Sequence, residues 1–422
     1  MGISINKNKE NKVLKFVTKA ISLVEPNSNT LKIKGIYYHT FSEYVYALSN
    51  LIKIQGIKNF DDAQSIIKSA IQKSKKYSLL TLNDFKNCLE EARRESLKKP
   101  KEKYYFVFPL KIKYNSINKR HFTLLGTKIK VCSYKYIQKN FDYEKLKEEA
   151  KYDTKIEESL KPSQTYFVIE KYAINEYRGG NSVSDKFELL RSIINFIDRF
   201  WKLHYHFGEP KPLSLIYPPK VFFAFDSNRT YLNKWMSDIT YDSREIDFNS
   251  YNLKSSKVIE RSEKVIKKIN SLKKGGLRDL IIEAFYLHNN ALDYYDKKWL
   301  SFLNLWQIFE LITLSSKDNL KQDEVCRRMG TLLNAKDPYN DITGVFKKKR
   351  NKLVHEGELR DFTENDINMI IGIAQFAIRF LIYKASKLKN IEGLDFFYRN
   401  VHTSEKELKT KVRVLRYIEK FK

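Results

Sequence analysis

Through the first hundred residues apolar positions recur at three- and four-residue intervals, the spacing of one face of an α-helix. A first helical segment runs from about Lys12 to Val24, and two more open at Thr40 and Asn59. In Asn59-Phe60-Asp61-Asp62 and again in Thr81-Leu82-Asn83-Asp84, a capping residue stands three before an acid. That arrangement satisfies amide groups that a helix start leaves without partners. The basic run from Arg93 to Lys103, containing Pro100, marks a boundary.

From residue 104 the period falls to two. Tyr104-Tyr105-Phe106-Val107-Phe108 and Leu110-Lys111-Ile112-Lys113-Tyr114 read as strand, with Pro109 at an edge or bulge position. Thr127-Lys128-Ile129-Lys130-Val131 alternates cleanly, and Thr165 to Ile174 is an aromatic and β-branched run. Gly179-Gly180-Asn181 reads as a turn before a helix from about Ser184 to Leu203. A further strand pair is expected within Leu213 to Phe225, divided by Pro218-Pro219. Beyond about 255 the strand pattern disappears, and helical spacing returns in Leu277–Tyr294, Trp299–Leu314, Asp323–Leu333, Ile342–His355 and Glu364–Leu388. Thr363-Glu364-Asn365-Asp366 opens the last of these with a capping pattern. The expected class is α+β: a helical region over 1–100, a mixed α/β region over 101–250 that could sense or regulate, and an all-α bundle over 251–422.

Composition changes this picture in one respect. A hydrophobic fraction of 42% and an aromatic fraction of 14% describe a chain able to bury cores. The outlying quantity is charge: 78 Lys+Arg against 50 Asp+Glu, a net +28. Such a surface attracts polyanions through counterion release without conferring sequence preference. A/T-biased coding, which enriches Lys, Ile, Asn, Tyr and Phe, is the competing explanation. Cys88, Cys132 and Cys326 are far apart and form no CxxC pair, which argues against a disulfide framework or zinc ribbon and for a reducing cytoplasm. No export signal is evident at the N-terminus. The most apolar run, Met369 to Ala385, is interrupted by Gln375, Arg379 and Lys384, which suits a buried amphipathic helix better than a membrane span.

The candidate chemistry lies in Arg350-Asn351-Lys352-Leu353-Val354-His355. An Arg followed within a few residues by His is a weak signal, expected about once by chance in a chain of this length. Arg199-Phe200-Trp201-Lys202-Leu203-His204 has the same spacing, yet Phe196, Ile197, Phe200, Trp201 and Leu203 make it a core helix. The later segment has more around it. Asn351 follows the Arg and stands four before His355, so on a regular helix those two share a face while Arg350 lies about 140° away. Val345, Phe346, Leu353 and Val354 supply an apolar stripe, and Gly357 follows as a helix stop. Elsewhere, His204 and His206 have no carboxylate or Cys at metal-ligand spacing, so no metal is expected. No phosphate-binding glycine loop is visible, and no cofactor is expected. Lys111 to Tyr114 and Lys128 to Tyr136 read as a sheet with Lys on its wet face, with single-stranded RNA binding as the alternative.

Arg-Asn-x-x-x-His, preceded by helices and followed by a polar loop and one long amphipathic helix, resembles the Apea-like branch of the HEPN superfamily over about residues 255 to 395. Phe302-Leu303-Asn304-Leu305-Trp306-Gln307-Ile308-Phe309-Glu310-Leu311 is similar to an early helix of that family. The resemblance implies a four-helix core whose homodimer, or a higher oligomer, brings two motifs into one cleft, with metal-independent endonucleolytic cleavage of RNA, tRNA among the candidates. It makes His355 the general acid or base, Arg350 the phosphate clamp and Asn351 an orienting residue. Glu310 is a supporting partner, and Lys347, Lys348 and Lys349 guide RNA or simply form a solvated face. By the same analogy an antiviral-defence or toxin-like effector is expected, with a phage-derived trigger or an inhibitory partner; the interrupted apolar run argues for no membrane. The rival expectation is a non-catalytic nucleic-acid-binding or scaffolding protein that keeps the helical dimer.

Overall fold

Most period-two and period-3.6 segments fold as their spacing dictates, and the chain is α+β. The computed structural model describes residues 2–25, 31–34, 37–57, 60–98, 100–112, 114, 117, 120–202, 216–236, 257–314, 320–332, 338–357, 362–388, 390–401 and 403–419. By packing it divides into two compact units, 1–101 and 102–422.

In the first unit, strand β1 (Ile3–Ile5), helices α1 (Glu10–Ser22) and α2 (Tyr38–Leu51), strand β2 (Ile52–Ile54), and helices α3 (Phe60–Ser74) and α4 (Leu82–Lys98) follow in order. Val13, Val17 and Ala20 of α1 are buried with Phe41, Val45 and Leu48 of α2, both sets at four-then-three spacing. Ile66, Ile67, Ala70 and Ile71 of α3 and Phe85, Leu89 and Ala92 of α4 complete that core. The Thr81 cap forms as expected: Thr81 N donates to Asp84 Oδ2, and Asp84 N donates back to Thr81 Oγ1. The Asn59 cap lies outside the described residues. The β1–β2 ladder, Ile3↔Ile54 to Ile5↔Ile52, was not expected, because three-residue strands are too short to establish a period.

The second unit opens with β3 (Glu102–Leu110), β4 (His121–Leu124) and β5 (Thr127–Cys132), then three short helices, α5 (Tyr134–Asn140), α6 (Tyr143–Ala150) and α7 (Thr154–Ser159). Strand β6 (Thr165–Ala173), helix α8 (Glu176–Lys202), β7 (Val221–Phe225) and β8 (Tyr231–Met236) follow. The six strands form one antiparallel sheet in the order β4-β5-β6-β3-β7-β8. Central β3 is buried on both faces, which explains its nearly continuous apolar sequence. Phe106 and Phe108 share a core with Val183 and Phe187 of α8, and the Phe108 and Phe187 rings stack at 4.3 Å. Tyr105 and Val107 on the other face share theirs with Ile137, Phe141, Leu146 and Ile156 of α5 to α7. Pro109 lies beyond the last β7 pairing, Val107↔Phe223, where that side of the strand has become an edge.

Two expectations need correction here. Lys111 and Ile112 form a bend after β3 ends at Leu110, so the strand does not continue toward Tyr114. Gly179-Gly180-Asn181 is not a turn: α8 runs through it, starting at Glu176. A β-carbon on Gly179 would come within 2.7 Å of the Phe106 ring, so glycine is there to let the helix approach the sheet, at a cost in helix propensity. The described part of Leu213 to Phe225 contains β7; 203–215, with His204 and His206, lies outside the described residues.

The helical region consists of α9 (Val258–Ser271), α10 (Leu277–Asp293), α11 (Lys298–Ile312), α12 (Gln322–Leu332), α13 (Pro338–Asn351), α14 (Glu364–Tyr383), α15 (Ile391–Asn400) and α16 (Glu405–Glu419). It shares one core with the α8 face of the sheet: Phe196 of α8 meets Phe285 of α10 edge-on at 5.2 Å. Arg191 of α8 grips Asp293 of α10 through two nitrogens at 3.0 and 2.6 Å, both side chains being almost wholly buried. Ile367, Ile370, Ile371, Ala374, Ala377, Ile378, Leu381 and Ile382 bury one side of α14. By length and composition α14 is the one helix among the described residues that could cross a membrane, and 56% of that stretch is buried, as in a core helix.

Closing the gap between α8 and the sheet should be costly. Gly179→Ala is expected to destabilise the protein by about 1–3 kcal/mol through overpacking against Phe106, read as a lower urea midpoint with unchanged slope.

Candidate active site

Arg350 stands in the last turn of α13. Pro338 fits the first position of that helix, where an N–H would have no helical partner. Phe346 is buried against Phe302 of α11, edge-on at 6.1 Å, which fixes the helix against its neighbour. Only 21% of the Arg350 side chain is exposed. Its Nη2 lies 3.6 Å from Glu310 Oε1, and its Nη1 makes a long 3.5 Å hydrogen bond to Asn351 Oδ1.

Glu310 is itself held. Its Oε1 accepts hydrogen bonds from Trp306 Nε1, one turn earlier on α11, at 3.0 Å and from Gln322 Nε2, at the start of α12, at 2.9 Å. Gln322 reaches it because Arg328, buried on α12, donates to the backbone carbonyl of Thr313 at 2.8 Å, tying α12 to the end of α11. Arg328 also donates to Glu324 Oε1 at 3.0 Å and lies 5.1 Å from the centre of the Tyr398 ring. The Tyr398 hydroxyl donates to the Ile312 carbonyl at 3.0 Å, so α15 secures the same corner. With three donors around one oxygen, Glu310 orients the guanidinium without consuming it, since an Arg fork carries five N–H groups.

After Asn351 the helix widens. Lys352–Glu356 forms a π turn, in which backbone bonds reach the fifth residue instead of the fourth. The shared face expected for Asn351 and His355, with Arg350 about 140° away, rested on the α-helical repeat and does not hold across this turn. Gly357 ends it in the left-handed conformation, φ 71°, as the helix-stop reading requires. Of the expected apolar stripe, Phe346 and Leu353 are buried, whereas Val345 and Val354 are each 50% exposed. His355 is exposed and makes no hydrogen bond or ion pair among the described residues. An exposed imidazole can exchange protons with a group that binds against it.

The three lysines separate. Lys347 pairs with Asp323 at the start of α12. Lys349 Nζ donates to Asp366 Oδ2 at 3.0 Å, both side chains being largely buried, and lies 5.8 Å from the centre of the Phe362 ring. Asp366 is also the capping acid that Thr363 engages; burial raises its pKa, but the bonds from Thr363 and Lys349 outweigh that and lower it. Lys348 alone of the three is exposed and free of such a pair. The sequence showed the run of charge but not its partners, because Asp323 and Asp366 come from other helices. Trp306 is four residues from Glu310 and legible as a same-face neighbour; nothing in the sequence marks Gln322. Among the described residues no group of three or more His, Cys, Asp or Glu side chains is placed to hold a metal ion.

Compared with protein-family models, with curated proteins and with solved structures, the chain matches none.

The α12 corner that carries Gln322 gives a pH signature. Hydrogen bonding from Arg327, opposed by burial and helped by Arg328, lowers the Glu324 pKa from 4.5 to about 2. A carboxylate lowered in the folded state contributes stability that is full above its unfolded value and lost as pH falls through the folded one. The melting-temperature gap between wild type and Glu324→Gln is expected to be constant at neutral pH and to close between pH 4.5 and about 2.

Proposed function

We propose that this protein is a metal-independent RNA endonuclease of the HEPN type, in which Arg350 clamps the scissile phosphate and His355 transfers the proton. The observation that supports this most is the Glu310 cluster. A half-buried Arg held at 3.6 Å by a carboxylate that Trp306 and Gln322 fix in turn is the preorganisation a phosphate clamp needs. An Arg that merely closed a helix end would not require three helices to aim it.

The chemistry follows from RNA itself. The ribose 2′-oxygen attacks phosphorus as its proton passes to a base, the bond from phosphorus to the 5′-oxygen breaks, and that oxygen takes a proton from an acid. The products are a 2′,3′-cyclic phosphate and a 5′-hydroxyl. In-line displacement puts base and acid on opposite sides of the phosphorus, so one imidazole cannot fill both places in a single step. Each chain offers one His at this site, which favours a cleft shared between two copies, with Asn351 beside each Arg350 and exposed Lys348 nearby to attract the backbone. The HEPN resemblance adds tRNA as a candidate substrate and an effector role in defence; the scattered cysteines favour a reducing cytoplasm, and residues 1–250 are left to sense a trigger or hold the site inactive.

Purified protein incubated with tRNA or total RNA in EDTA is expected to cut, and Arg350→Ala and His355→Ala are each expected to lower the rate by about 10²–10⁴-fold. Glu310→Gln and Gln322→Ala, which loosen the clamp without removing it, are expected to cost about 10–100-fold, mostly in kcat. Cleavage that requires a divalent metal, or that survives both Ala variants, overturns the proposal. Salt-sensitive RNA binding with no cutting supports the non-catalytic reading instead.

A further inference from the structure

Several partly covered lysines of the second unit are each met by a carboxylate. Lys103 pairs with Glu170 at 3.1 Å, Lys234 with Asp153 at 2.9 Å and Lys349 with Asp366 at 3.0 Å. Lys186 of α8 breaks that pattern. It is partly buried, standing beside the stripe of Val183, Phe187 and Leu190 that α8 turns to the core, and it makes no hydrogen bond or ion pair.

Cations gather around it. Lys171 of β6 alternates with Ile169 and Ala173, which belong to the core under α8, so it lies on the α8 side of the sheet. Glu170 faces the other side, where Lys103 takes it. Gly275 and Gly276, with φ 86° and 56°, turn the chain from α9 into α10, and Lys274 before the turn and Arg278 after it reach the same corner. Lys171 and Lys274 make no hydrogen bond or ion pair either. Arg278, its side chain 17% exposed, donates to the Leu272 carbonyl at 3.4 Å from Nη1.

Two acids adjoin the cluster, and neither answers Lys186. Asp279, 61% exposed, lies 3.8 Å from Arg278 Nε and accepts a hydrogen bond from the Gly275 amide at 3.3 Å. Asp185, next to Lys186 in sequence, forms no ion pair with it, and burial raises the Asp185 pKa against the pull of that lysine. Burial lowers the pKa of Lys186; Asp185 opposes this, and the charges of Lys171, Arg278 and Lys274 lower it further. A partly desolvated ammonium facing three like charges is costly unless an anion answers it.

We propose that Lys171, Lys186, Lys274 and Arg278 form a binding site for a phosphate monoester, between the end of β6, the first half of α8 and the start of α10. Three ammonium groups act as point charges that can surround a tetrahedral anion, and the guanidinium adds paired N–H donors. A monoester carries about −1.5 to −2 charge at pH 7, which suits this excess of cations better than a carboxylate does. A phosphodiester carries a single charge and needs room for an ester group on either side. Because the four residues come from the sheet, α8 and the α9–α10 corner, a bound phosphate ties these elements together and stabilises the fold by mass action. The site shares no residue with the Arg350–His355 corner, and Lys171 and Lys186 precede the region that resembles HEPN proteins, so it stands whether or not the protein cuts RNA.

Inorganic phosphate, exchanged for potassium chloride at constant ionic strength, is expected to raise the melting temperature of the full-length protein saturably. Lys186→Met and Lys171→Met are each expected to weaken phosphate binding, read by calorimetry, at least about tenfold. Lys186→Met also removes a cation that its neighbours repel, so in chloride alone it is expected to melt no lower than wild type; loss of a lysine that merely held the fold would lower the midpoint. A second measurement needs no variant. In acetic anhydride labelling read by mass spectrometry, phosphate is expected to protect Lys186 and Lys171 and to leave Lys103 unchanged. Competition then reads the source of the group. Displacement of phosphate by AMP supports the site with a nucleotide as its ligand, and displacement by a 5′-phosphorylated oligodeoxyribonucleotide, which the proposed nuclease cannot cut, supports it with a strand end. Displacement by neither supports free phosphate. The proposal is overturned by a melting temperature indifferent to phosphate, by stabilisation that survives in both variants, or by equal acetylation with and without phosphate. It is also overturned if an unphosphorylated oligodeoxyribonucleotide competes as well as the phosphorylated one, which would assign the cluster to a nucleic-acid backbone. RNA cleavage in EDTA reads none of these outcomes, so failure of one proposal leaves the other standing.

Discussion

One carboxylate oxygen ties the candidate site together. Glu310 Oε1 receives a hydrogen bond from Trp306 on its own helix and another from Gln322 on the next, and it faces Arg350 on a third. A partly buried carboxylate is costly unless its lone pairs are engaged, and an Arg in the same place is costly unless its charge is answered. Each group therefore resolves the cost of the other, and the residue left with donors to spare is Arg350. The ties behind this cluster, from Arg328 to the Thr313 carbonyl and from Tyr398 to the Ile312 carbonyl, keep α11, α12 and α15 from drifting apart at that corner. Catalytic precision at the phosphate, on this account, originates two contacts away from it.

The π turn over Lys352–Glu356 governs the other half of the site. An α-helix continued through His355 would have set its ring by the 3.6-residue repeat; the wider turn and the left-handed Gly357 set it instead. Such turns cost hydrogen-bond quality and persist where something offsets that cost, which makes this one notable beside an Arg and a His of the right chemical types. The contrast between the two residues is informative. Arg350 is fixed from behind and largely covered, while His355 is exposed and free to meet what arrives.

Local signals were the legible ones. Capping at Thr81 and Thr363, the period change near residue 104, the apolar continuity of β3 and the Gly357 stop all act within a few residues, and each appears in the structure. What escaped is set by contacts distant in sequence. Gly179 reads as punctuation in the sequence, whereas its role is set by Phe106 lying beneath it. Lys347 and Lys349 read as part of a basic run, guiding RNA or simply solvated, and their pairing with Asp323 and Asp366 is invisible in it because those acids come from other helices. Net charge has the same limit: +28 describes the whole chain, while the charge available at a site is what remains after local pairing. Gln322 carried no signal at all, because twelve residues separate it from Glu310 and only the fold brings them together.

The chemistry of the cut ends tests the central claim most directly. If Arg350 and His355 cleave RNA through the ribose 2′-hydroxyl, mass spectrometry of fragments made in EDTA will find 2′,3′-cyclic phosphate on one side of each cut and a 5′-hydroxyl on the other, and a substrate with 2′-deoxyribose at the cut site will resist. Fragments that end instead in 3′-hydroxyl and 5′-phosphate, produced only when a divalent metal is supplied, would contradict it.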